Sequence, residues 1–517
     1  MRSGATARRL AALVLTVGFA LVVPASRAQA SLPPILGAGS TWSQIALDQW
    51  RYDVVSKGLT INYQGVGSTQ GRQFFANGTV DFAVSEIPYD PGESRPNFHF
   101  RYLPIVAGGT SMMYNLTAPG GYQIRDLRLS NATIAGIFTG RITNWNDVAI
   151  RRDYGRPLPS LPIHVVVRSD GSGTSAQFSA YLNATQPAMW SAFLRGCGQN
   201  PVDYTSFYPY GPGCLSNGVG QRGSDGIANY IANPGLGPGS IGYVETGYAI
   251  ARNFPVAAVK NASGNYVYAT PHNVATALQH SQQDPNTGLS NLSGVYTAPE
   301  SSAYPISSYS YMLAPTDSSQ ISTDKGDVLG QFINYFACQG QQQAAPLGYS
   351  PLPKTLVQFT FDAEKQIPGA PNPPAINGSA CPNPTLTGAF YQTKDTAPPP
   401  GSLWYGQNSS TDTPSSSSTG PGSDSSGPGV GNGGPGVSGS QGASVPSNAV
   451  QGANGSYTVD PMPAVLTDRE LAAAKRLGDQ HILGMRLPSS LPFIIVAVIV
   501  LLIVVGPLLL RLRSRES

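Results

Sequence analysis

No cysteine occurs before Cys197, and the chain of 517 residues holds only four. A lipid-modified cysteine near the N-terminus is therefore not expected. Histidine is also scarce: His99, His164, His272, His280 and His481 stand far apart. No His-Glu-x-x-His motif and no Cys/His cluster with zinc spacing occurs, so no metal and no cofactor is expected. No Gly-x-Ser-x-Gly elbow marks a serine nucleophile. No Gly-Lys-Ser/Thr follows a glycine-rich loop, which excludes a P-loop. Charged residues are only 11% of the chain and the net charge is +3. That balance gives no electrostatic footprint for nucleic acid. A phosphatase normally needs metal carboxylates or a nucleophile with its base, and neither is visible.

Glycine, proline and tyrosine are plentiful instead, with 59, 45 and 25 residues. They point to a loop-rich, exported protein. Residues 1–30 read as a secretory signal. Arg2, Arg8 and Arg9 precede an apolar stretch at 10–23, and Ala28-Gln29-Ala30 supplies a small-residue cleavage site. The mature chain is expected to begin near Ser31. At the other end, residues 491–510 form an apolar run long enough to span ~30 Å of hydrocarbon. Arg511, Arg513 and Arg515 in the tail 511–517 keep that end cytoplasmic by the positive-inside rule. The expectation is a body outside the cell membrane, anchored by its own C-terminal helix in the bilayer. Residues 393–465 are dominated by Gly, Ser and Pro and read as a flexible linker. Residues 466–490 form a juxtamembrane segment, with a short helix capped by Thr467 and Glu470.

An even cysteine count in an exported chain implies two disulfides. Three pairings are open for Cys197, Cys214, Cys338 and Cys381. Cys197–Cys214 and Cys338–Cys381 are preferred because each closes a local loop.

The body, residues 31–392, alternates strand-like and helix-like stretches. Residues 80–84, 163–167, 240–244 and 309–313 read as strands. Residues 134–138, 227–231 and 328–338 read as helical. Alternation of this kind predicts α/β layers with mostly parallel sheets, whose ligands bind at loops beyond the strand ends. Three such loops share one chemistry: Gly37-Ala38-Gly39-Ser40-Thr41, Gly65-Val66-Gly67-Ser68-Thr69 and Arg168-Ser169-Asp170-Gly171-Ser172-Gly173-Thr174. Each offers backbone N–H groups and hydroxyls at a helix start, a setting that favours an anion. Arg168 adds a planar cation suited to tetrahedral oxyanions.

These residues carry a family resemblance. Gly37-Ala38-Gly39-Ser40-Thr41-Trp42, Asn62-Tyr63-Gln64-Gly65-Val66-Gly67-Ser68, Val80-Asp81-Phe82-Ala83-Val84-Ser85-Glu86 and residues 168–174 resemble, in order, motifs of the PstS-type phosphate-binding proteins. Ile137-Phe138-Thr139-Gly140 and Leu347-Gly348-Tyr349-Ser350-Pro351 fit as well. The resemblance runs from about Gly37 to Thr355. It implies a two-lobed, type II periplasmic-binding-protein-like fold. Lobe 1 would comprise about 31–108 plus 305–392, and lobe 2 about 109–304. It also implies phosphate contacts from Thr41, Trp42, Ser68, Glu86, Arg168, Asp170, Ser172, Gly173 and Thr174, with Asp170 pairing to Arg168. The implied partners are inorganic phosphate and an ABC phosphate permease.

Glu86 departs from the pattern, because the family has Asp there. A carboxylate can accept the proton that phosphate keeps near neutral pH and that sulfate lacks. Facing sulfate it would leave an unpaired acceptor beside like charge. Glu86, one methylene longer, either keeps that role or turns outward. The second outcome leads to the alternative reading, a surface scaffold or adhesion module with an altered or lost oxyanion site.

Overall fold

The computed structural model describes residues 32–392, together with 449–451 and 457–459. The expected signal segment, most of the linker, the juxtamembrane segment, the apolar run 491–510 and the basic tail lie outside the described residues. Among the described residues no helix is long and apolar enough to cross a membrane. The chain divides into two compact units, residues 1–416 and 417–517. In the second unit Ala449–Gln451 pairs antiparallel with Tyr457–Val459. This hairpin falls inside the stretch expected to be linker. Its strands carry the β-formers Val450, Tyr457 and Val459, and Asn454-Gly455 stands between them.

The first unit is built on strand–loop–helix repeats. In chain order they are β1 (Ile35–Gly39), α1 (Gln44–Asp53), β2 (Ile61–Gly65), α2 (Ser68–Ala76) and β3 (Phe82–Ser85). A long strand follows, β4 (Phe100–Tyr114), and then β5 (His164–Arg168), α3 (Gly173–Thr185), β6 (Gly218–Gln221), α4 (Gly223–Ala232) and β7 (Ser240–Glu245). Strand β8 (Ser307–Pro315) returns to the first half.

The strands form one sheet in the order β2-β1-β3-β8-β4-β7-β5-β6, with Tyr349–Ser350 added on β4. Pairs β1–β2, β1–β3, β5–β6 and β5–β7 are parallel. The pairs involving β4 or β8 are antiparallel. The parallel strands are buried runs such as Val165, Val166 and Val167, as strands covered on both faces require. Strand β4 serves two neighbours. Residues Phe100 to Gly109 pair with β8, and Thr110 to Tyr114 pair with β7. The sheet is thus two clusters joined by one shared strand, each covered by its own helices.

Register is continuous along β4 and β8 except at one point. Tyr311 lies opposite Pro104 and Ser310 opposite Val106, so Ile105 is an extra residue. Proline cannot donate to the ladder and is at home at such a bulge.

Both preferred disulfides are present, Cys197–Cys214 and Cys338–Cys381, with Cα separations of 4.5 and 4.6 Å.

Candidate functional site

Each anion-friendly loop follows a strand and opens a helix. Ser40 and Thr41 lie between β1 and α1, Ser68 begins α2, and residues 169–172 join β5 to α3. Because β1 and β5 sit in different halves of the sheet, the loops approach from opposite sides of one cleft.

Glu86, just beyond β3, is 2% exposed, and its carboxylate is turned inward onto hydroxyls. Oε1 accepts hydroxyl hydrogen bonds from Ser40 and from Ser310, the latter at 2.9 Å. Oε2 accepts from Ser68 Oγ at 2.9 Å. The outward orientation left open by the sequence does not occur. Burial pushes the Glu86 carboxyl above its ordinary value, and the bonds from Ser40, Ser68 and Ser310 pull it part of the way back.

From the other half, Gly173 N donates to Ser68 Oγ at 3.1 Å. A methyl group on Gly173 would overlap Glu86 Oε2, so only glycine lets the two loops close. Gln177 Nε2 donates to the Glu86 carbonyl at 2.9 Å, and Thr69 N to the Gly171 carbonyl at 3.3 Å.

Arg168 is buried and pairs with Asp170 through Nε to Oδ1 at 2.7 Å and through a second nitrogen to Oδ2. Asp170 Oδ1 also accepts from Gly223 N at 3.0 Å. Burial works to raise the Asp170 carboxyl, but Arg168 and the Gly223 N–H outweigh it and hold it below its ordinary value. Burial likewise opposes the charge on Arg168, and Asp170 more than restores it.

Of the remaining sequence-predicted residues, Trp42 and Thr41 join these networks. Trp42 N donates to Ser40 Oγ at 2.9 Å, one bond from Glu86. Thr41 Oγ1 accepts from Ser224 N at 3.0 Å, beside Gly223. Ser172 Oγ caps α3 by accepting from Ser175 N at 3.2 Å. Thr174 Oγ1 is buried and has no hydrogen-bond partner among the described residues. A buried hydroxyl of that kind fits a role in holding an anion. Thr41, Ser68, Glu86, Gly173 and Asp170 thus take part in bonds that join strand-to-helix loops, and Ser172 and Thr174 flank Gly173 in sequence.

Sequence reasoning missed four further participants. Ser40 sits inside a recognised loop, but no contact was assigned to it. Gly223 and Ser224 repeat the same strand–Gly/Ser–helix pattern after β6, and that pattern could have found them. Ser310 lies within a strand and carries no local signal.

A groove of about 960 Å³ opens at the rim, lined in part by Thr69, Asp90, Tyr204 and Phe207. Thr69, in its lining, is the residue whose N–H bonds the Gly171 carbonyl.

The sequence profile of the PBP superfamily domain matches residues 23–339. The phosphate-binding protein PstS of Xylella fastidiosa is 33% identical over 343 residues, covering 65% of this chain and 86% of that protein. PstS of Pasteurella multocida is 29% identical over 352 residues, covering 67% and 93%. The solved structure of a phosphate-binding protein from Stenotrophomonas maltophilia is 19% identical with a TM-score of 0.46, covering 68% of this chain and 98% of that one. With most of its length matched by that profile and by a relative one-third identical, the chain belongs to the PBP superfamily and, within it, to the PstS-type phosphate-binding proteins.

Proposed function

We propose that this protein is an extracytoplasmic receptor that binds inorganic phosphate and delivers it to an ABC-type phosphate permease. One observation carries the reading. A single buried cluster joins one guanidinium, several helix-start hydroxyls and an acceptor-only carboxylate, with Arg168 and Glu86 on loops from opposite halves. The guanidinium and the helix starts answer the negative charge, and the carboxylate answers the proton. Thr41, Trp42, Ser68, Glu86, Arg168, Ser172, Gly173 and Thr174 are the proposed contacts, with Asp170 orienting Arg168. The action is binding and release rather than catalysis.

The lobes are proposed as residues 31–108 plus 305–392 and residues 109–304. Hinge motion would occur where β4 changes partner, between Gly109 and Thr110. Tethering through the linker 393–465 to a membrane helix at 491–510 belongs to the same proposal and rests on the sequence alone.

Calorimetric titration of the full chain with phosphate and then sulfate at neutral pH tests it, alongside Glu86→Gln. Phosphate binding without a sulfate signal, weakened by the variant, is the expected result. No heat with either ion would favour the scaffold reading.

A further inference from the structure

An ionised carboxylate offers about four acceptor positions on its two oxygens. At Glu86 three are filled by serine hydroxyls: Ser40 and Ser310 at Oε1 and Ser68 at Oε2. Ser40 and Ser68 belong to the anion-friendly loops. Ser310 does not, because it stands within β8.

Sheet register puts it there. Tyr311 pairs with Ser85, the last residue of β3, in antiparallel sense, so the preceding residue on β8 comes level with the residue just beyond β3. That places Ser310 against Glu86. The extra residue Ile105 falls at the same level on the other side of β8.

Ser310 Oγ is also 2.9 Å from the buried Ser43 Oγ. A hydroxyl has one proton to give and can accept. Ser310 stands as donor to Ser43 Oγ and to Glu86 Oε1 alike, and the carboxylate is the stronger acceptor for its one proton.

We propose that Ser310 is a specificity-determining positioning residue, which holds Oε1 of Glu86 so that an acceptor position on Oε2 stays turned toward a proton-bearing oxyanion. This rests on the phosphate-receptor reading above. A hydrogen phosphate donates its proton to that position. Sulfate has no proton to give and meets a lone pair instead. Without the Ser310 hydroxyl, Oε1 loses one of its two donors and the carboxylate is free to rotate. The orientation that separates the two anions is then lost.

The test compares Ser310→Thr with Ser310→Val in the full chain. These side chains have nearly the same shape and differ in the hydroxyl. Phosphate and sulfate affinities are measured by calorimetry, and melting temperature by circular dichroism. Ser310→Thr is expected to keep the phosphate-over-sulfate preference. Ser310→Val is expected to lose roughly tenfold to a hundredfold in phosphate affinity, with a smaller change for sulfate, as fits one hydrogen bond to a charged group. Ser310→Ala, which adds no bulk, should lower the preference as Ser310→Val does, and it serves if the larger side chains prevent folding. Equal preference in the Thr and Val variants, or a wild-type preference in Ser310→Ala where they do not fold, overturns the role of Ser310. A wild-type chain that binds no phosphate overturns the receptor reading itself.

Discussion

Arg168 and Asp170, two residues apart on one strand-to-helix turn, are joined side by side, with Nε 2.7 Å from Oδ1 and a second nitrogen bonded to Oδ2. Because Gly223 N also donates to Asp170, the carboxylate ties two helix-start loops together while it orients the guanidinium. Replacing Arg168 by Met should lower phosphate affinity by at least about a hundredfold. It should also lower the melting temperature, because a buried carboxylate loses its partner. Adding Asp170→Asn should recover melting but not binding. Calorimetry and thermal melts on the single and double variants separate the two effects. Near-normal binding by Arg168→Met would remove the guanidinium from the anion site.

Gly173 sets how closely the loops approach. Gly173→Ala should weaken phosphate binding on the order of a hundredfold, the scale of a 1 Å misplacement in a closed site. Its melting temperature should change little without ligand. An affinity within threefold of wild type would mean that the loops close elsewhere.

Ser206 bridges the halves at the cleft rim. Its hydroxyl donates to Asp90 Oδ2 at 2.6 Å, and its carbonyl accepts from Ser172 N at 2.9 Å. Asp90 in turn approaches the fully buried Arg72 of α2, whose other carboxylate partner is Glu93. Ser206 lies in the loop closed by Cys197–Cys214. Reducing that disulfide should raise the phosphate dissociation rate by roughly three- to tenfold, the range of one modest hydrogen bond. Ser206→Ala should do the same, and reduction should add little to it. Stopped-flow release kinetics under oxidising and reducing conditions decide the matter. Fully additive effects would break the proposed link.

Glu364 is wholly buried, and burial pushes its carboxyl up from 4.5 to about 8, with Asn334 partly opposing. The folded value lies above the ordinary one. Folding therefore takes up a proton between these limits, and stability falls as pH rises through the window. Glu364→Gln should melt close to wild type at pH 5 and about 3 °C or more above it at pH 9. Melting curves that stay parallel across this range would assign the pH dependence to other groups. The Asp170 contribution has the opposite sense. Its folded value is lowered, so its stabilisation persists above the ordinary aspartate range and is lost as pH falls through the folded value.

The parallel strands and the helix starts were legible because their signals are local. The apolar run at 163–167 appears as β5, and the three Gly/Ser/Thr loops each precede a helix. The long strand β4 was not legible. Pro104 and Gly108-Gly109 punctuate its sequence, and its continuity is fixed by partners some 200 residues and 135 residues away along the chain. The direction of Glu86 was likewise hidden, since one methylene could turn either way. Three hydroxyls hold it, and one of them, Ser310, is placed by pairing between distant strands rather than by any motif. The cysteine pairs were readable because both close local loops.

The position of β8 has a consequence for the nascent chain. It separates β3 from β4, yet it is made some 190 residues after β4 ends. Until it arrives, the facing edges of β3 and β4 have no backbone partner between them. Such edges are open to pairing with other chains. The first half of this protein therefore cannot complete itself as it is synthesised and must wait for residues 307–315. A chain truncated before them would carry most of the anion-binding residues on an unclosed sheet.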